Sequence, residues 1–300
     1  MTSLGDMVEQ ELGRPVSTTI RDAAHAIARR LGGAAVLFYG SVLRTGDLDG
    51  VLDFYVLRAP EERTNLLSRL IWPDVSYHEV ETSGRIVRAK VAAMQIATFE
   101  RAARGATLDT TIWARFVQPC ALIWSRDEAI CRRVAQAVAD ASVTAGWFAT
   151  LHHASAGSAG DFWRGLFRAT YSTELRVEAP GREDQILGYD RRRYDDLLPL
   201  AWRSGGVAFE RDGEDLSPRP TERQMRAIAA AWFRVARAGR PLNLVRLVKA
   251  AFTFEGAARY GLWKIERHTG VRIALTPFRE RHPILAAPGV FWRVWRRASS

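Results

Sequence analysis

Apolar and polar positions divide the first 125 residues into short strands and helices. Val16 to Leu31 carries apolar residues at helical spacing, with Ser17 or Thr18 placed to cap it. Ala34 to Tyr39 is an unbroken apolar run suited to a buried strand, and Gly40-Ser41 breaks it. Asp47 to Gly50 is turn material, and Val51 to Leu57 is a second apolar strand interrupted only by Asp53. A short helix is expected over Pro60 to Leu70 and a turn at Trp72-Pro73. Val75 to Val80 and Arg85 to Ala92 alternate around Thr82-Ser83-Gly84, a hairpin signal. Met94 to Arg104 and Leu108 to Val117 read as helices, and Ala121 to Trp124 as a last strand.

The remainder is mainly helical. Arg126 to Ala154 is a long Ala-rich helix, followed by the loop Ser155 to Gly160 and a helix over Phe162 to Val177. Glu178 to Glu183 is a turn. Arg203 to Pro220 is rich in Gly, Asp, Glu and Pro and reads as a linker. Thr221 caps an amphipathic helix to Arg240. Leu242 to Thr269 is helical with breaks, since glycines fall at 256, 261 and 270. The expected fold class is α+β: a mixed sheet with helices over residues 1–125, an extension over 126–205, and a linker, helices and basic aromatic tail over 206–300.

Asp53 changes this picture, because an unpaired carboxylate inside an apolar strand is costly. Two readings fit. In one, Asp53 sits on a half-exposed edge strand. In the other, it holds a metal on phosphates that the Gly40-Ser41 bend approaches with backbone N–H groups. Asp49 or Asp47, in the loop, would supply a second ligand in place of Val51.

Charge narrows the partners. The 300 residues carry a formal net charge of +10, which favours polyanions or an anionic membrane. Nearly all of it is arginine; Lys90, Lys249 and Lys264 are the only lysines. Two cysteines, Cys120 and Cys131, lack metal-ligand spacing, and the histidines form no zinc pattern. The acidic, polar start reads as neither a signal nor a transit peptide, so a cytoplasmic location is expected. The tail from Arg279 to Arg297 mixes arginine with Phe291, Trp292 and Trp295. It suits either a membrane interface or docking on the core.

Phe38 to Ser41 followed by Leu52-Asp53-Phe54 resembles the nucleotidyltransferase superfamily. Within it, the chain resembles the mitochondrial translocator-assembly-and-maintenance family of phosphatidate cytidylyltransferases, which has bacterial relatives and likewise lacks the first Asp of the usual pair. Further pieces follow in order. Asn65-Leu66 with Tyr77, Gly84 to Arg88, Arg115 with Pro119, Tyr171 with Glu174 and Arg176, and Lys249 to Thr253 with Tyr260 and Lys264 each resemble a segment of that family. Departures include Ala114 for Gly, Gln118 for Lys and Glu174 for Asp.

The resemblance implies a nucleotidyltransferase-type sheet and a reaction between CTP and phosphatidic acid that gives CDP-diacylglycerol and pyrophosphate. It implies Mg²⁺ on Asp53, with Asp49 as second ligand, and nucleotide binding by Gly40, Ser41, Arg44 and Arg115. Asp53, Arg88, Glu174 and Arg176 would be the catalytic set, and Lys249 and Lys264 would face the lipid headgroup. The enzyme would sit peripherally on the inner face of the cell membrane. Two other classes fit the composition: transfer of a nucleotide to a soluble acceptor, and a non-catalytic basic module that binds nucleic acid. The chain lacks the interleaved aromatics of a single-strand binder, so no nucleic acid is expected.

Overall fold

The computed structural model of the chain describes residues 2–59, 71–82, 84–153, 156–174, 181–281, 285–290 and 292. The helix expected over Pro60 to Leu70 lies outside these residues, as do Asn65, Arg176, Phe291 and Trp295.

Helix α1 (Leu4–Leu12) opens the chain, capped by Ser3, whose Oγ accepts from the Asp6 N–H at 3.1 Å. The polar reading of this stretch missed its apolar stripe: Leu4, Val8 and Leu12 recur every fourth residue and are buried. Then follow α2 (Thr18–Leu31), β1 (Gly33–Tyr39), α3 (Ser41–Thr45), β2 (Val51–Arg58), β3 (Asp74–Thr82), β4 (Arg85–Gln95), α4 (Ile96–Ala103), α5 (Trp113–Phe116) and β5 (Cys120–Ser125). The helix expected over Leu108 to Val117 shrinks to the single turn of α5. The strands form a five-stranded sheet in the order β3-β4-β2-β1-β5. β2 and β4 are parallel and the other pairs antiparallel. The molecule is therefore α+β with a mixed sheet.

Strand periodicity splits the sheet into two faces. Val36, Phe38, Leu52, Phe54 and Val56 pack with Ile20, Ala24 and Ile27 of α2. Leu37, Tyr55 and Leu57 point the other way, into a larger core shared with α1, α4 and α6 (Glu128–Ala149). Asp53 is two residues before Tyr55 and so belongs to this second face, at the end where the apolar packing stops.

The rest comprises β6 (Gly157–Ser158), α7 (Ala159–Thr173), α8 (Arg182–Tyr189), α9 (Arg191–Ser204), β7 (Ala208–Asp212), β8 (Asp215–Arg219), α10 (Glu222–Thr253), α11 (Ala257–Thr269) and α12 (Pro277–Arg281). The stretch read as a linker is instead a hairpin, β7-β8, which pairs with β6 into a second sheet. Its polar residues face solvent while Leu216 is buried and Phe209 packs on Trp202. Polar composition hid an alternating strand. One continuous hydrophobic cluster runs from Leu4 to Ile228.

α10 is longer than expected. Thr221 and Gln224 form a capping box, and the helix continues through Pro241 to Thr253. Buried charges tie it to the sheet domain. Arg246 Nη2 lies 3.2 Å from Asp109 Oδ2, and its guanidinium stacks over Trp72. Lys249 Nζ lies 2.6 Å from Asp74 Oδ1 and also donates to the Ile71 carbonyl. Gly256, at φ +79°, ends the run against the Tyr77 carbonyl, and α11 then lies beside β3. Among the described residues no helix is long and apolar enough to cross a membrane.

Candidate active site

β1 and β2 fix the centre of the site through their register. Tyr39 pairs with Asp53 across the ladder, so the chain that turns at Gly40 passes directly over the carboxylate. Gly40 has φ +89° and ψ −161°, a region open to glycine alone. A Cβ on Gly40 would lie 2.5 Å from Asp53 Oδ2. The bend and the acid are thus in contact, as the sequence led one to expect. Gly40 also heads α3, a short helix the sequence reading took for a plain turn, and no side chain caps it.

A cavity of about 250 Å³ opens here. Gly40, Ser41, Arg44, Asp53, Arg115 and Glu174 all line it. These six come from four separated stretches of sequence, and the fold brings them together. Lys90 and Arg182 join them as further cations, with Thr111 and Gln118 completing the polar wall.

Each charged group is set by its surroundings. Burial raises the Asp53 carboxyl above its ordinary range, against the opposing pull of Lys90, Arg115 and Arg44. Burial, with Arg182 beside it, lowers Arg44. Burial would also lower Arg115, but Tyr39, Tyr55, Glu174 and Asp53 outweigh it and hold its proton more firmly. Arg115 Nη1 donates to the Tyr55 hydroxyl at 3.3 Å, and its guanidinium lies over the Tyr39 ring at 5.4 Å. Tyr55, Phe99 and Phe116 pack edge to face beneath it. The guanidinium is therefore presented from a rigid aromatic floor. Glu174, at the end of α7, accepts from the Thr110 hydroxyl.

Other expected site residues lie elsewhere. Arg88 is in register with Val51, whereas Lys90 is in register with Asp53. The two-residue step along the strand puts Arg88 outside the cavity, where it lies 3.9 Å from Glu79 and against the Trp263 ring. Lys90 takes the place expected for Arg88. The sequence held that signal only in the parallel pairing of β2 with β4, which no local pattern gives. Asp49 points to the surface and pairs with Arg85 at 2.8 Å, so it is not a ligand beside Asp53. Its loop is exposed, and the nearest guanidinium takes the carboxylate. Lys249 is a buried structural cation committed to Asp74. Lys264 is exposed on α11 and does not line the cavity.

Among the described residues no three His, Cys, Asp or Glu side chains converge as a metal-ligand group. Mg²⁺ on a nucleotide commonly takes one or two carboxylates together with phosphate oxygens and water. Asp53, half-buried and facing the cavity, fits that partial donor set, with Glu174 on the same wall. Neither a protein-family model nor a curated protein matches the chain.

Proposed function

We propose that this chain is a Mg²⁺-dependent nucleotidyltransferase. The observation that carries this reading is the Asp53 carboxylate packed on the Gly40 bend, inside a cavity that also presents Arg44, Lys90, Arg115 and Arg182. Four cations around two carboxylates suit a polyphosphate. The cavity lies just below the usual range of about 300–1,000 Å³ for drug-sized ligands. Its size and polarity suit the phosphate end of a nucleotide more than a whole apolar ligand.

The donor and acceptor we propose are CTP and phosphatidic acid, on the sequence resemblance. An acceptor phosphate oxygen attacks the α-phosphorus, the bond to the bridging oxygen breaks, and pyrophosphate leaves with the electron pair. Asp53 would hold Mg²⁺, which when bound neutralises charge on the triphosphate. Arg115, fixed on its aromatic floor, orients the transferred phosphoryl group. Arg44 and Arg182 hold the departing pyrophosphate, and Ser41 donates to a phosphate oxygen. Positioning and charge stabilisation together make up the catalysis.

Two features support a membrane-bound acceptor. Residues 221–300 hold 16 Arg and Lys against 4 acidic residues, whereas residues 1–220 hold 27 against 29. The whole positive excess thus belongs to the last 80 residues. The same region exposes Phe233, Leu244, Leu247, Val248, Phe278, Leu285 and Trp292. Apolar side chains amid arginine are the chemistry of an anionic bilayer surface.

The test is pyrophosphate release with each of the four nucleoside triphosphates, with and without phosphatidate vesicles, for the native chain and Asp53→Ala. CTP- and phosphatidate-dependent release that Asp53→Ala abolishes is expected. Release that needs only a soluble acceptor would move the acceptor off the membrane, and no release under any condition would remove the enzymatic reading.

A further inference from the structure

β4 brings Lys90, not a carboxylate, into register beside Asp53. In the same register Tyr77 of β3 is opposite Lys90, and Tyr39 of β1 is opposite Asp53. The strand next to the acid thus contributes a cation to the cavity floor. Arg44 and Arg182 reach the cavity from α3 and α8, and Arg115 from α5. Four cations against Asp53 and Glu174 leave a net positive cavity before any metal is bound. Asp53 meets its strongest opposing charge in Lys90.

We propose that the cavity binds polyphosphate without a divalent cation, with Lys90 as the side chain that bridges the Asp53 carboxylate to the phosphate chain. The inference deepens the nucleotidyltransferase reading and rests on it for the site, but it concerns binding alone. Anchoring falls to the fixed cations, and Mg²⁺ would be needed for the transfer step only. One consequence has a distinctive sign. Without metal, Asp53 repels the phosphates, so removing its charge strengthens binding. With metal, Asp53 would hold it, so removing the carboxylate would weaken binding.

The experiment is calorimetric titration of inorganic tripolyphosphate into the full chain, in EDTA and separately in Mg²⁺. The native chain, Lys90→Met, Lys90→Arg, Arg44→Gln and Asp53→Asn are compared, each first checked by thermal unfolding. Binding in EDTA is expected. Lys90→Met should weaken it at least about tenfold, Lys90→Arg should largely restore it, and Asp53→Asn should tighten it about tenfold. Arg44→Gln, at the half-buried rim, gives a second reading should Lys90→Met fail to fold. Binding in Mg²⁺ but not in EDTA would overturn this inference and leave the nucleotide reading standing. No binding in either buffer would overturn both. Binding in EDTA that ignores both Lys90→Met and Arg44→Gln would place the anion elsewhere and overturn the inference.

Discussion

Gly40→Ala tests the geometry on which the site depends. The substitution meets two obstacles. The backbone at φ +89° and ψ −161° is closed to residues with a Cβ, and holding alanine there costs about 1–3 kcal/mol. The new methyl group would also lie 2.5 Å from Asp53 Oδ2. Ordinary contact is about 3.4 Å or more, so bend and carboxylate must separate by nearly 1 Å, at a further cost of about 1–2 kcal/mol. The expected loss on urea unfolding is therefore about 2–5 kcal/mol. A displacement of that size should also cut pyrophosphate release about a hundredfold. A double-mutant cycle separates the two terms. In an Asp53→Ala background the backbone cost remains and the overlap with the carboxylate is gone, leaving only the 3.2 Å approach to the Cβ of residue 53, so Gly40→Ala should cost about 1–2 kcal/mol less than in the native chain. Equal costs in the two backgrounds, with release intact in Gly40→Ala, would show that the bend does not touch the acid.

Four further outcomes are expected. Burial raises the Asp53 carboxyl, so its ionisation opposes folding. Stability tied to this group is fully present below the ordinary carboxylate pKa and is lost as pH rises through the raised one. Asp53→Asn should therefore unfold at a higher temperature than the native chain at pH 7, with the gap closing in acid, even as turnover is lost. Glu11 and Arg193 form a buried pair at 2.5 Å that joins α1 to α9, and Glu11→Ala should lose about 3–5 kcal/mol by chemical denaturation. Lys249→Met should lower stability by about 2 kcal/mol by removing the ammonium that Asp74 and the Ile71 carbonyl share, with Arg58 still 3.4 Å from the Asp74 carboxylate, and with tripolyphosphate affinity unchanged by calorimetry. Replacing exposed Leu244 and Leu247 by aspartate should reduce flotation with phosphatidate vesicles while leaving binding of soluble nucleotide intact.

The sheet was legible wherever a single strand announced itself. Ala34 to Tyr39, Val51 to Leu57 and the strand pair Val75 to Val80 with Arg85 to Ala92 are local patterns, and each formed close to its expected bounds. Gly40 and Asp53 were legible for the same reason: each breaks the local pattern around it. Arg115 and Glu174 came from the ordered run of resembling segments, and both face the cavity. What escaped depends on pairing between distant residues. Lys90 matters because a parallel strand sets it beside Asp53, and reading Arg88 in its place is an error of one repeat of the strand. Lys249 looked available because a lysine among arginines stands out, whereas its partner Asp74 is far away in sequence. The β7-β8 hairpin was hidden by the polar residues its exposed face requires.

α10 joins the exterior of the molecule to the cavity that holds Asp53. Leu247 on this helix faces solvent, while its neighbour Arg246 turns inward to hold the hydroxyl of Thr111, a residue of the cavity wall, at 3.1 Å. Adjacent positions on one helix thus touch water on one side and a residue of the cavity wall on the other. One peptide unit and one hydrogen bond separate the leucine face from that wall, so a load settling on the leucines would bear on the shape of the pocket behind them.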